Sequence, residues 1–145
     1  MTKNRAVLSA FCLVVGGVFI WAAALKIRDP LGFAQNIANY RVVGTALAFW
    51  IGLILPWLEL AAGVFLIAGV WRRTSALLLS LMLAGFIVLI AVTMLRGIDV
   101  DCGCFGSLSR KADLGLLLQD AALLFMSGAI FASKAEPLGL IRKRR

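Results

Sequence analysis

Four long apolar runs constrain the fold of this chain more than any other feature of its sequence. They cover about residues 6–26, 48–70, 75–95 and 114–132, and 62% of all 145 residues are hydrophobic. At a rise of about 1.5 Å per residue, a helix of about 20 residues crosses the roughly 30 Å hydrocarbon core of a bilayer. The sequence therefore predicts an all-α membrane protein, a four-transmembrane-helix bundle that forms one domain over residues 1–145.

The first apolar run allows two interpretations. Its basic start, MTKNR, and its Ala22-Ala23-Ala24 stretch are features of a cleaved signal peptide. The run is long for such a peptide, however, and it contains Gly16-Gly17, a feature of helix packing in membranes. We therefore expect a retained transmembrane helix.

A short helix is predicted directly after the first span. Asp29 is a suitable N-cap and Pro30 is favoured at the first helical position. Phe33, Ile37 and Tyr40 follow at helical spacing, but the segment is too short and too polar to span a membrane. We expect an interfacial helix that lies on the membrane surface.

The distribution of the cations predicts the orientation. The net charge is +8, but the lysines and arginines cluster at the ends of the apolar runs, which is typical of membrane topology signals and not of nucleic-acid binding. With the N-terminus inside, nine cations are cytoplasmic and six are external. We expect a multi-pass protein of the bacterial inner membrane, with both termini cytoplasmic and the loop 96–113 outside.

That loop carries the cysteine pair Cys102 and Cys104, separated only by Gly103. Glycine permits the sharp backbone bend that a small disulfide ring needs. Strained or exposed disulfides are the labile, catalytic kind, and an extracytoplasmic loop is where a disulfide persists. A redox role is the main hypothesis; a structural disulfide, unpaired thiols and metal ligation are the alternatives. The chain has no histidine, so we expect no metal site.

Three ionisable residues fall within or at the ends of the predicted spans. Glu59 and Asp120 lie inside the second and fourth apolar runs, and Lys26 ends the first. Ionisable groups inside a membrane are costly and are candidates for function. We expect a polar cluster of these three beneath the cysteine loop. It would relay protons or hold the polar head of a quinone; the alternative is a network that only holds the helices together.

Several stretches together resemble one family. They are residues 17–26 followed by Asp29-Pro30, Tyr40 before the second span, residues 55–60 with Gly63, and the loop 102–106. With these stretches the chain resembles the MauE/DoxX-like membrane proteins, which are four-helix and redox-associated. The resemblance implies a role in thiol–disulfide traffic beside a periplasmic thioredoxin-like partner. It also implies maturation of a disulfide-containing client of the methylamine dehydrogenase type.

Three functions are compatible with these features. The first is a thiol–disulfide redox protein in which Cys102 and Cys104 exchange with the thioredoxin-like partner, with a quinone as the candidate cofactor. The second is a non-catalytic membrane assembly factor. The third is a small transporter subunit in which Glu59 and Asp120 line a polar path.

Overall fold

A computed structural model describes residues 2–97 and 114–134. Within these ranges the chain forms one short helix and four long ones, and the long helices are each apolar enough to cross a membrane. In chain order the helices are α1 (Thr2–Arg28), α2 (Pro30–Asn39), α3 (Thr45–Ala68), α4 (Arg72–Leu95) and α5 (Leu114–Ala132). The predicted fold class, a four-transmembrane-helix bundle with a short helix after the first span, is confirmed.

The four long helices form a closed ring. α1 packs against α3 and α5, and α4 packs against the same two helices, so α1 and α4 face each other across the centre. The interior is filled by aliphatic side chains such as Val15, Leu66 and Leu79, whose exposed fractions are 0%, 1% and 0%. Large apolar side chains also cover the outside, where Leu81 and Phe125 are 63% and 75% exposed. An apolar outer surface of this kind suits a lipid environment.

α1 and α3 approach each other closely because two glycines meet at their contact. A β-carbon at Gly16 would lie 3.0 Å from the carbonyl oxygen of Gly63 and 2.6 Å from Ile67 Cγ1. Small residues at such crossings let the two backbones pack without intervening side chains. The neighbouring Gly17 faces open space, so only the first of the two glycines serves this contact. The α1 segment is thus an integral part of the bundle.

α2 begins where the sequence predicts. The Asp29 carboxylate accepts a hydrogen bond from the Gly32 N–H at 2.9 Å, and Pro30 is the first residue of the helix. The apolar face of α2 is covered by α3, since Phe33 and Ile37 form a buried cluster with Ala48 of that helix. The short helix is therefore part of the protein core at the end of the bundle where α1 ends and α3 begins.

The two ends of the bundle differ in what they carry. The loop end contains α2, the C-terminus of α1 and the chain ends at Gly97 and Leu114 that flank residues 98–113. The termini end contains the start of α1, the end of α5 and the tight α3–α4 connection, in which Gly69 takes a left-handed conformation with φ 78°. At the termini end, Arg72 of α4 donates a 3.0 Å hydrogen bond to the carbonyl oxygen of Ser133.

A pair of serines joins α4 to α5 inside the bundle. Ser127 is fully buried, and its hydroxyl donates to the carbonyl oxygen of Ala76 at 2.8 Å. The Ser80 hydroxyl lies 2.9 Å from Ser127 Oγ and donates to it. Interhelical hydrogen bonds of this kind contribute about 0.6 kcal/mol on average in membrane proteins.

Candidate functional site

A buried ion pair joins α1 to α3. Lys26, in the last turn of α1, turns inward, and its ammonium lies 2.7 and 2.8 Å from the two carboxylate oxygens of Glu59. Both side chains are only 3% exposed. Each partner alone would be a costly charge in the interior, and their mutual hydrogen bonds offset that cost. The two residues are 33 positions apart in the chain, so this contact depends entirely on the packing of α1 against α3.

Two aromatic rings flank the same ammonium group. Lys26 Nζ lies 4.8 Å from the centre of the Phe33 ring and 5.6 Å from the centre of the Phe86 ring. Both distances are within the range in which a cation is attracted to the face of an aromatic ring. The sequence placed Phe33 on the apolar face of α2 but gave no signal that linked it, or Phe86, to Lys26. Through these contacts Lys26 connects α1 with α2, α3 and α4.

Asp120 is the third ionisable group of the interior. It lies on α5, about two turns from the start of that helix, and is 8% exposed. Its Oδ2 atom is buried and has no hydrogen-bond partner among the described residues. A buried polar atom without a partner is rare in native structures and requires an explanation.

Lys26, Glu59 and Asp120 all line one cavity of about 50 Å³ between the four long helices, towards the loop end of the bundle. Gln119 lines it as well and is itself exposed. The other lining side chains are apolar and come from α1, α4 and α5: Val18, Phe19, Ala22, Met82, Leu83, Phe86 and Leu123. The structure thus brings the three predicted residues to one cavity. Their role stays a prediction.

The size of the cavity limits what it holds. A buried water needs only about 10–15 Å³ of such space, so the cavity has room for water molecules. Sites for small organic molecules are typically about 300–1,000 Å³. The side chains as arranged do not fit a quinone ring, and the Lys26 ammonium that would bind its carbonyl already faces Glu59. We therefore assign no step to a quinone.

The predicted catalytic cysteines, Cys102 and Cys104, lie outside the described residues. The third cysteine, Cys12, is a free thiol on α1 that is 4% exposed and belongs to the main hydrophobic cluster. A buried cysteine of this kind behaves as a small apolar side chain. Cys12 therefore provides a matched control for experiments on the loop pair.

The fold and the cavity together define a class: a multi-pass membrane protein with four long helices and an acid–base cluster buried among them. The family model described as "Methylamine utilisation protein MauE" matches residues 4–133 of the chain. The chain therefore belongs to the MauE family, and the resemblance seen in its sequence motifs is confirmed.

Three curated relatives carry the name "Methylamine utilization protein MauE". The protein of Paracoccus denitrificans is 29% identical over 126 residues, which cover 86% of this chain and 68% of the relative. The protein of Methylophilus methylotrophus is 29% identical over 143 residues, or 97% and 75% of the two chains. That of Methylorubrum extorquens is 36% identical over 98 residues, which cover 67% of this chain and 52% of the relative. No solved structure matches the chain.

Proposed function

We propose that this chain is a membrane thiol–disulfide protein that supports the maturation of extracytoplasmic, disulfide-containing proteins. The observation that carries the proposal is the family match over residues 4–133, which includes the Cys-Gly-Cys stretch 102–104. The names of the relatives support methylamine utilisation as the context. A client of the methylamine dehydrogenase type is the corresponding expectation.

The proposed chemistry is thiol–disulfide exchange with a thioredoxin-like partner. When Cys102 and Cys104 are reduced, the thiolate of one attacks the partner's disulfide and forms a mixed disulfide. The second cysteine then attacks that mixed disulfide and releases the partner as a dithiol. Two electrons and two protons pass from this chain to its partner, and the reverse sequence passes them back.

The position of the cysteine stretch in the chain suits such an exchange. Residues 98–113 connect the end of α4 with the start of α5, at the loop end of the bundle. This end also carries α2, at whose start the N-cap Asp29 and Leu31 are exposed. A partner that docks at the loop end would therefore meet the cysteines together with a helix fixed to the bundle.

We also propose that the loop end faces the periplasm and that both termini are cytoplasmic. One cation counted at the loop end, Lys26, is buried and paired with Glu59, so it is not a free topology signal. Omitting it reduces the loop-end count from six to five, against nine at the termini end. The positive-inside rule then favours this orientation more strongly than the sequence count alone.

Serine substitutions test the redox proposal. In a methylamine-utilising host that lacks its own MauE, Cys102→Ser and Cys104→Ser are each expected to abolish growth on methylamine, whereas the control Cys12→Ala is expected to support it. Membrane levels of each variant are measured by immunoblot. If both serine variants support growth like the parent chain, the redox proposal is wrong and the chain acts as a non-catalytic assembly factor.

A trapped mixed disulfide would identify the partner, and thiol labelling tests the orientation. In Cys104→Ser, the remaining loop thiol, Cys102, is expected to hold a thioredoxin-like protein in a mixed disulfide that a reductant releases on a gel. A membrane-impermeant thiol reagent is expected to label Cys102 and Cys104 from the periplasmic side in intact cells. Labelling only after the cytoplasm is opened would overturn the orientation.

A further inference from the structure

The charges that line the cavity do not balance among themselves. Among the described residues, the charged side chains that line it are Lys26 from α1, Glu59 from α3 and Asp120 from α5. α4 contributes only apolar groups, and Gln119 is neutral. One cation therefore faces two acids. With both acids ionised, the described lining of the cavity would hold one negative charge without compensation.

The hydrogen bonds show which acid is compensated. Lys26 Nζ lies within hydrogen-bond distance of both oxygens of Glu59, which is the arrangement of an ammonium with an ionised carboxylate. Asp120 Oδ2, by contrast, is buried and has no partner among the described side chains and backbone groups. An ionised carboxylate is an acceptor only, and a buried oxygen of it that is left without a donor is costly.

We propose that the cavity is a proton-binding site, in which Asp120 carries one proton and donates it in a hydrogen bond to water held in the cavity. Protonation removes the uncompensated charge and converts Asp120 into a donor. The cavity of about 50 Å³ has the room for water that this bond needs. Gln119 both lines the cavity and is exposed, so it provides a polar group between the cavity and the surface of the bundle.

A metal cation is the competing way to balance the charge, and the geometry disfavours it. The Lys26 ammonium already lies in the cavity and repels a second cation. Cations such as Ca²⁺ and Mg²⁺ also require six or more oxygen ligands, counting water. The described lining offers side-chain oxygens only from Glu59, Asp120 and Gln119, and both oxygens of Glu59 face Lys26.

The number of protonated carboxyl groups in the cavity is expected to change from one variant to the next. With one cation and two acids, the parent chain holds one neutral carboxyl group in the cavity. Asp120→Asn leaves none. Glu59→Gln also leaves none, because the freed Lys26 ammonium then pairs with Asp120. Lys26→Met leaves two, because neither acid has a counter-charge. A purely structural role for Asp120 does not produce this series.

Infrared spectroscopy of the purified protein in lipid nanodiscs measures these counts at neutral pH. The carbonyl stretch of a protonated carboxyl group is well separated from amide bands and shifts when H₂O is replaced by D₂O. The parent chain is expected to show one such band per chain, and the four-membered series is expected to read one, none, none and two. Asp29→Asn, which alters an exposed helix cap, is the control and is expected to retain the band.

Helix content by circular dichroism shows that each variant is folded. Should Lys26→Met not fold, the loss of the band in both Asp120→Asn and Glu59→Gln still distinguishes the proposal. A parent chain without the band, or a band that persists in Asp120→Asn, would overturn it. So would a band that appears only when sodium is removed, which would indicate a cation site. The inference does not depend on the cysteines, because serine at positions 102 and 104 is expected to leave the band unchanged.

Discussion

Replacing Lys26 with methionine removes the cation of the buried ion pair while keeping most of the volume of the side chain. Both members of the pair are 3% exposed, and their hydrogen bonds are 2.7 and 2.8 Å long. The substitution leaves Glu59 as an unpaired acid in a largely apolar interior. Breaking a buried pair in this way costs about 3–5 kcal/mol, whereas an exposed pair contributes only about 0.2–1 kcal/mol. We expect Lys26→Met to lower the free energy of unfolding by about 3–5 kcal/mol.

The assay is reversible unfolding in mixed micelles, with a denaturing detergent as the titrant and circular dichroism as the signal. Lys3→Met removes an exposed cation from the same helix and is expected to change the free energy of unfolding by less than about 0.5 kcal/mol. Replacing Lys26 and Glu59 together with methionine removes the pair without leaving a lone charge. We expect this double variant to be more stable than Lys26→Met, since apolar replacement of a buried pair is often neutral.

The single substitution Glu59→Met gives a further comparison. It leaves Lys26 without its partner, but Asp120 lines the same cavity and can take its place. We therefore expect Glu59→Met to cost less than Lys26→Met. The reasoning is refuted if Lys26→Met is no more destabilising than Lys3→Met, or if the double variant loses the sum of the two single losses, because the two groups would then not be coupled.

Two further predictions concern helix packing, each measured by the same unfolding assay. Gly16→Ala is expected to be about 1–3 kcal/mol less stable than Gly17→Ala, because its new methyl group would lie 2.6 Å from Ile67 Cγ1 while the one at Gly17 meets open space; equal stabilities would contradict the close α1–α3 contact. Ser127→Ala is expected to lose about 0.6–1.7 kcal/mol with the hydrogen bonds that join α4 to α5. Ser9→Ala, which removes a hydroxyl that donates to the Arg5 carbonyl oxygen within α1, is the control, and an equal loss in both would contradict that assignment.

Some of the fold was predictable from local sequence alone. An apolar run of about 20 residues is long enough to cross a bilayer whatever it packs against, so the four long helices needed no tertiary information. The start of α2 was predictable for a similar reason, because Asp29 caps the helix and Pro30 begins it through contacts within a few residues. The acids Glu59 and Asp120 were candidates for function simply because charge is rare in such runs.

The sequence did not predict which face of each long helix points into the bundle. In a soluble helix the polar side marks the solvent, but a membrane helix is apolar both towards lipid and towards its neighbours. Leu13 and Val15 illustrate this: they are similarly apolar, yet one is 57% exposed and the other fully buried. No periodicity in the sequence separates the two environments, so the helix contacts could not be read from it.

What the sequence determined by itself is therefore the number and extent of the membrane helices, the cysteine stretch between α4 and α5, and the presence of charge within the spans. Only the tertiary structure decided that Lys26 turns inward and that it pairs with Glu59 between the rings of Phe33 and Phe86. It also decided that the Oδ2 atom of Asp120 is buried without a hydrogen-bond partner among the described residues. The physical reason is that hydrophobicity along a chain reports how each segment meets its solvent. The pairing of charges depends on which faces of separate helices come together.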